Sequence, residues 1–460
     1  MKQGFVKVAS ATPRIRVADP VYNAQVICEQ AKEAAEHGAK IVVFPELCIT
    51  GYTCNDLFLQ ELLLEKAKEA LLTIAEETGQ LETLFLVGLP VDKDGRLYNV
   101  AAVLYRILGM IPKKNIPMYA EFYEGRHFTP GEETVTEYRL GKQVIPFGSN
   151  LLFRCEELPE LILGCELCED LWVAEPPSTS HALMGATVIA NLSASNETVS
   201  KDDYRTLLVK ASSARLLCGY IYTSAGEGES TQDLVFGGHD LIAENGTLLA
   251  QSARFTTGIL YTDLDVLKIS SERRRMGTFG KRPMKPYLTV PFSMQLTGTK
   301  LDRKFAAHPF VPEDMVERNR RCEDILSIQA FGLKKRYEHI GCKTAVLGIS
   351  GGLDSTLALL VTVRISGIIA VTMPCFGTTD RTYENACLLA KTLGTTLREV
   401  DIRESVTRHF TDIGQDMECH DVTYENGQAR ERTQVLMDIA NKENALVIGT
   451  GDMSELALGW

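Results

Sequence analysis

A pair of glycines set between an apolar run and a helical run constrains this chain most. Val346-Leu347-Gly348-Ile349 enters Ser350-Gly351-Gly352-Leu353-Asp354-Ser355, and a helical pattern from Ser355 to Val363 leaves it. Paired glycines turn the backbone sharply and expose several N–H groups at a helix N-terminus, which suits a phosphate. No Gly-Lys-Ser/Thr follows, so this is not a Walker A loop. Asp354 beside a phosphate nest calls for a cation between them, and Mg²⁺ is the expected one. A structural turn with a capping Asp is the plainer alternative.

The surroundings repeat the strand–helix theme. Lys343 to Gly348, Ile368 to Met373 and Leu446 to Gly449 read as strands. Tyr383 to Leu393 and Gln428 to Asn441 read as helices between them. This spacing predicts a Rossmann-like doubly wound parallel sheet over residues 326–460. Before it, Phe5 to Ala11, Lys40 to Phe44, Leu84 to Leu89, Val100 to Ile111, Leu161 to Cys165, Val188 to Leu192 and Gly219 to Ser224 read as strands. A hairpin follows, turning at Asn245-Gly246. Helical stretches such as the one through Cys28 and Ala35 alternate with these strands, so residues 1–270 form a second α/β domain. The stretch 271–325 reads as a connector. It holds Arg273, Arg274, Arg275, Lys281, Arg282 and Lys285, with Pro283, Pro286 and Pro291 nearby. These charges are a solvated surface or, alternatively, a basic binding arm.

Composition excludes several classes. With 48 Lys and Arg against 60 Asp and Glu, the net charge is −12, which argues against general nucleic-acid binding. No apolar run reaches the roughly 18 residues of a membrane helix, and the N-terminus has no signal-peptide pattern. Twelve cysteines, several inside apolar runs (Cys28, Cys218), behave as free thiols of a reducing compartment. A cytoplasmic location is expected.

The glycine segment resembles the Ser-Gly-Gly-x-Asp-Ser signature of enzymes that cleave ATP between its α and β phosphates. Gly449-Thr450-Gly451-Asp452-Met453-Ser454-Glu455-Leu456, Tyr424 to Arg432 and Thr372-Met373-Pro374 extend the resemblance to NAD synthetases. That resemblance implies ATP at Gly348, Ile349, Ser350, Gly351, Gly352, Leu353, Asp354, Ser355 and Thr450. It implies deamido-NAD at Asn426 and Glu455, and Mg²⁺ at Asp354 and Glu455. The chemistry is consistent: a pyridine carboxylate is a poor electrophile until ATP converts it to an acyl-adenylate, which ammonia then attacks. At neutral pH ammonia is mostly ammonium, so a domain that generates it in place would be an advantage.

Three segments of the first domain supply such chemistry. Phe44-Pro45-Glu46, Pro112-Lys113-Lys114 and Glu166-Leu167-Cys168 each put one functional side chain just after a predicted strand, where α/β sheets gather their sites. Together they resemble the Glu-Lys-Cys triad of the nitrilase (carbon–nitrogen hydrolase) superfamily, which implies an α-β-β-α sandwich. Cys168 would be nucleophile, Glu46 base, and Lys113 with the Glu169 N–H the oxyanion donors, Lys113 also favouring the thiolate. Lys113 is placed in the site and Lys114 outside it, since neighbours on an extended segment face opposite ways. Either Glu121 or Glu124 is placed to orient Lys113. Cys165 and Cys168 also form Cys-x-x-Cys, but no second pair has zinc spacing, and the acidic neighbours oppose a redox thiol.

Over its whole length the chain resembles the glutamine-dependent NAD synthetase family. This implies glutamine at Tyr119, Ser195 and Lys201, the last standing where an arginine is expected, and homo-oligomers with ammonia passed internally. The expected partners are glutamine, ATP and deamido-NAD, with no membrane and no nucleic acid. Two alternatives stand beside this reading: a carbon–nitrogen hydrolase with a regulatory nucleotide module, and an ATP-pyrophosphatase that amidates another acid. Thr362 to Gly367 is shorter than the helix-to-strand connection of the family it resembles, so either a loop is deleted or residues are missing between Arg364 and Ser366. Because the sequence stops at Trp460 within a motif, part of the synthetase domain is expected to be absent, leaving a chain that hydrolyses glutamine and makes no NAD.

Overall fold

Neighbouring residues of the first strands go to different cores. Val6 and Val8 of Phe5–Thr12, both ends of Ile41–Val43, and Leu84 and Leu86 of Leu84–Lys93 share one buried cluster. Ala9, Val42, Phe85 and Val87 belong to another. Successive side chains of a strand point to opposite faces, so a strand apolar at every position is covered on both. The computed structural model describes residues 1–280 and 286–458. It divides into two units, Met1–Lys304 and Phe305–Trp460.

Among the described residues the first unit holds two large sheets. One runs in the order Gly258–Asp265, Phe5–Thr12, Ile41–Val43, Leu84–Lys93, Arg96–Leu104, Gly109–Pro112, Gln143–Phe147 and Thr136–Leu140. The other runs Thr247–Gln251, Leu241–Glu244, Gly219–Ser224, Val188–Ser193, Ile162–Leu167, Leu151–Cys155 and Leu288–Phe292. Their inner faces meet in a single core that joins Val8, Ile41 and Leu86 to Phe153, Leu163, Cys165 and Ile221. Helices Pro20–Glu36 and Glu61–Thr78 cover the outside of the first sheet through Ile27, Ala31, Leu71 and Ile74. Pro177–Leu183 and Lys201–Leu216 cover the second through Ala182 and Val209. Four layers in the order α-β-β-α result.

Two sequence readings are corrected here. Val100 to Ile111 is not one strand: Arg96–Leu104 and Gly109–Pro112 pair antiparallel, and the chain turns between them with Arg106 at φ +63°. The stretch 271–325 is not one connector. Val266–Arg275 is a helix, Leu288–Phe292 pairs parallel with Leu151–Cys155, and the buried Met1 ammonium donates to Thr299 Oγ1 at 2.6 Å. Only from Met315–Ile340 does the chain enter the second unit's first helix. Lys281, Arg282, Pro283 and Lys285 lie outside the described residues, as do Gly459 and Trp460.

Arg273 of that stretch is a clamp. Its guanidinium donates to the carbonyls of Leu217 (2.9 Å), Leu216 (3.0 Å), Ala186 (2.6 Å) and Gly185 (3.4 Å) and lies 4.7 Å from the Phe279 ring. Leu216 and Leu217 end the helix Lys201–Leu216, where unpaired carbonyls and the helix dipole favour a cation. Arg273→Ala is expected to cost about 2–4 kcal/mol in denaturant unfolding, because several half-buried carbonyls lose their donor. Exposed Arg274→Ala is expected to stay within about 0.5 kcal/mol. Equal losses from the two would mean that Arg273 holds nothing.

In the second unit four parallel strands run in the order Thr396–Glu399, Gly367–Thr372, Thr344–Gly348 and Leu446–Val447. The chain winds outward from Thr344–Gly348 on one side and returns to its other side, so the switch point lies between that strand and Leu446–Val447. The connection after Leu353–Thr362 needs only residues 363–366, whose Ile365 and Ser366 amides fold back on the Thr362 carbonyl. Four residues are an ordinary helix-to-strand link. No helix of the described residues is long and apolar enough to cross a membrane.

Candidate active site

Cys168 is the first residue after the strand Ile162–Leu167, at φ +40°. A side chain in the left-handed region costs about 1–2 kcal/mol, so something must hold it there. Asp170 does this. Its carboxylate accepts from Leu167 N (3.0 Å), Asn115 N (2.8 Å) and Asn115 Nδ2 (2.8 Å), tying the turn that carries Cys168 to the loop that carries Lys113. In the sequence alone Asp170 is only an acidic neighbour of the cysteine.

Glu46 and Lys113 are both fully buried. The Lys113 ammonium donates to Glu46 Oε1 at 2.6 Å and to both oxygens of Glu124 at 2.7 and 2.8 Å. Asn99 Nδ2 donates to Glu46 Oε1 at 2.7 Å, and the Ala194 amide to Glu46 Oε2 at 2.9 Å. Tyr52 OH completes the set by donating to Glu124 at 2.9 Å. The residue that orients Lys113 is therefore Glu124. Glu121 turns to Asn196 Nδ2 instead, at 2.7 Å. Lys114 points away and pairs at the surface with Glu133 at 2.6 Å.

These charges fix the protonation states. Burial alone would depress the Lys113 ammonium, but Glu124 and Glu46 outweigh it and hold Lys113 well above the usual lysine value. The thiol responds differently from the sequence expectation. Burial first, and then the Glu46 carboxylate, push Cys168 far above the ordinary thiol range, and the opposing pull of Lys113 is too weak to reverse this. One cation shared by two carboxylates is a net negative surrounding for a thiolate. Cys168 therefore rests as a thiol. Cys165 lies in the core between the sheets, and both cysteines are free thiols.

A cleft of ≈ 420 Å³ opens over Cys168, and Tyr119, Ser195 and Lys201 all line it, with Glu169, Phe122 and Trp172. Tyr119 OH donates to both oxygens of Glu169 at 2.9 Å. Lys201, at the start of its helix, donates to Asn196 Oδ1 and stands 5.3 Å from the Trp172 ring and 5.5 Å from that of Phe122. Burial, then the nearby Arg205, lower its ammonium. Arg205, one helical turn on, was missed. It is fully buried, donating to Glu197 Oε1 at 2.7 Å, to the Asn196 carbonyl at 3.2 Å and to Ser195 Oγ at 3.4 Å. It braces the segment behind the cleft, and Lys201 is the cation that faces into it. Spacing of four from Lys201 on one helix was the available signal.

In the second unit the glycine loop leaves the strand Thr344–Gly348 at the switch point, where open α/β sheets bind ligands. Gly348 and Ile349 lead into it. Gly351 is at φ +79°, and a Cβ there would come within 2.2 Å of the Thr382 carbonyl oxygen, so only glycine fits. Ser350 Oγ accepts from Gly352 N at 3.2 Å and lies 3.2 Å from Ser355 Oγ. Gly352 starts the helix Leu353–Thr362 without a side-chain cap, and Leu353 and Asp354 are exposed there. Thr450 follows the neighbouring strand Leu446–Val447. Asn426 is exposed on the helix Val422–Lys442. Glu455 caps its own helix, accepting from Asp452 N at 3.1 Å while Asp452 Oδ1 accepts from Glu455 N at 2.8 Å. Among the described residues no three His, Cys, Asp or Glu side chains gather as a metal cage.

A buried carboxylate, lysine and cysteine converging on an α-β-β-α sandwich mark the first unit as a carbon–nitrogen hydrolase, and the family model of that description matches residues 7–274. The NAD synthase model matches 325–460. The chain is 40% identical over 482 aligned residues to the glutamine-dependent NAD(+) synthetase of Mycobacterium leprae, covering all of this chain and 71% of that protein. The enzyme of the same description from Thermotoga maritima is 31% identical, with 100% and 76% covered. The crystal structure of a glutamine-dependent NAD(+) synthetase from Cytophaga hutchinsonii matches 99% of this chain and 76% of its own, with a TM-score of 0.52 at 22% identity, a likeness of fold. The chain belongs to the glutamine-dependent NAD(+) synthetase family. It is a ligase of NAD biosynthesis with a nitrilase-like amidotransferase domain, and neither alternative raised by the sequence is favoured.

Proposed function

We infer that the first unit hydrolyses glutamine at Cys168 and that the second uses the ammonia to amidate deamido-NAD activated by ATP. The observation that carries the first half is the Lys113 ammonium held between Glu46 and Glu124 beside a left-handed Cys168 that opens into the cleft. The Cys168 thiol attacks the side-chain amide carbon of glutamine while Glu46 takes its proton. The oxyanion that forms is met by the Lys113 ammonium and the Glu169 N–H. Glu46 returns the proton to the leaving nitrogen, ammonia departs, and a thioester remains. Water activated by Glu46 then releases glutamate.

In the second unit the glycine loop Gly348–Ser355, with Thr450, suits the phosphates of ATP, and Asn426 and Glu455 are assigned to deamido-NAD. The exposed carboxylate of Asp354 supplies the hard oxygen that Mg²⁺ takes alongside nucleotide phosphates, and Mg²⁺ bound there supplies charge neutralisation on the phosphates. The N-terminus of the helix Leu353–Thr362, whose cap residue Gly352 has no side chain to accept from it, favours negative charge on a phosphate there. Residues 1–270 and 326–460 are assigned to the two activities. Homo-oligomeric assembly is proposed on family grounds.

The test is turnover by the full-length enzyme with glutamine, ATP, Mg²⁺ and deamido-NAD. Glutamate, AMP, pyrophosphate and NAD are expected together. Pyrophosphate without NAD would move the reading to another acid, and glutamate without pyrophosphate would leave only the hydrolase.

A further inference from the structure

Of the three carboxylates that line the cleft over Cys168, Glu121, Glu124 and Glu169, only Glu121 keeps an oxygen that accepts no hydrogen bond from the described residues. Glu124 is spent on Lys113, and both oxygens of Glu169 accept from Tyr119 OH. Glu121 stands at the tip of a two-strand hairpin in which Tyr119 pairs with Phe122, the turn being Ala120-Glu121. Ala120 is at φ +49°, where glycine is the unstrained choice. The strained turn carries Glu121 over the cleft, whose wall it forms with Lys201, Ser195 and Cys168.

Glu121 and Lys201 do not neutralise each other directly. Asn196 stands between them: its Nδ2 donates to Glu121 Oε1 at 2.7 Å, and its Oδ1 accepts from Lys201 Nζ. One buried carboxamide therefore holds an anion on its nitrogen and a cation on its oxygen, both lining one cavity. Glu121 Oε2 receives no hydrogen bond from the described residues. An α-amino acid presents the complement of this pattern, an ammonium and a carboxylate on a single carbon.

We propose that Glu121 receives the α-ammonium of the substrate while Lys201 receives its α-carboxylate, making Glu121 the residue that selects an α-amino acid over an amide lacking the amino group. This rests on the reading that the cleft takes glutamine. Glu121 lies on the turn between the segment that carries Lys113 and the residue that orients it, so the head group and the scissile amide are positioned by one stretch of chain. The interaction is charge-assisted, and its loss is worth about 10- to 100-fold in binding.

The experiment compares kcat/KM for glutamine and for glutaramate, the same amide without its α-amino group, in wild type, Glu121→Gln and Glu121→Asp. In Glu121→Gln, glutamine is expected to lose about 10- to 100-fold, mostly in KM, while glutaramate changes less than about threefold. Glu121→Asp, which keeps the charge, is expected to recover part of the preference. Equal losses on both substrates would make Glu121 merely structural and overturn the proposal, as would an unchanged preference. Release of ammonia from neither substrate by wild type would instead overturn the hydrolase reading beneath it, a result that no variant is needed to see.

Discussion

Cys168→Ala is expected to release no measurable glutamate from glutamine, the rate falling by about 10⁴-fold or more, while the same variant of the full-length enzyme still makes NAD from added ammonium. The size follows from the loss of a covalent nucleophile, after which the remaining groups act only on water. The fold tolerates the change: alanine keeps the Cβ that already occupies the left-handed position at φ +40°, and Asp170 still ties Leu167 to Asn115. Because Cys168 rests as a thiol, its removal takes away no charge and leaves Lys113 balanced by Glu46 and Glu124. Glutamate release and ammonium-dependent NAD formation are measured on the same preparation. If both fell equally, Cys168 would be a structural residue and the assignment of the hydrolase site to this cleft would fail.

Glu46, Lys113 and Cys168 were legible because each follows an apolar run that the chain buries on both faces, and the ends of such strands converge. The groups that tune them were less legible. Asn99 lies in an apolar strand, where a buried amide must find partners, yet nothing local says that its partners are Glu46 and Glu124. The choice between Glu121 and Glu124 depends on a hairpin whose turn residue, Ala120, carries no turn signal. The same holds at Tyr105 to Leu108, where Arg106 takes a left-handed conformation without Gly or Asn, so two strands read as one. Leu288–Phe292 was hidden by Pro291, which argues against a central strand. In the structure it is an edge strand, the place where proline is tolerated. The thiol state was misjudged for a related reason. Sequence put one lysine near Cys168, and only the folded cluster puts two carboxylates on that lysine.

That arrangement also explains why a buried lysine can remain charged here. Its removal from water is compensated by four close oxygen contacts' worth of acceptor capacity on two carboxylates, of which three are used at 2.6 to 2.8 Å. Burial and the Glu46 carboxylate keep the thiol protonated, so the site does not expose a reactive thiolate. In the proposed mechanism, attack then has to coincide with proton transfer to Glu46. An oxyanion forming beside Lys113 gains from a cation that is already in place and needs no reorganisation.

The adjacent lysines separate these roles. Lys113→Ala is expected to cost about 100- to 1000-fold in glutamine hydrolysis through the lost oxyanion donor. It also leaves Glu46 and Glu124 buried without their cation, and breaking a buried pair in this way costs about 3–5 kcal/mol. Lys113→Met restores most of the volume and is expected to recover some packing but none of the rate. Lys114→Ala removes only the half-exposed contact with Glu133, worth about 1 kcal/mol or less, and is expected to stay within about threefold of wild type. Steady-state glutamate release and denaturant unfolding of the three variants read both effects. Equal losses from Lys113→Ala and Lys114→Ala would mean that the register of the Pro112-to-Ile116 segment is wrong. The Lys113→Met result then decides between charge and packing: if it matched wild type in rate, the ammonium would not be the oxyanion donor, and the Glu169 N–H would have to carry that charge alone.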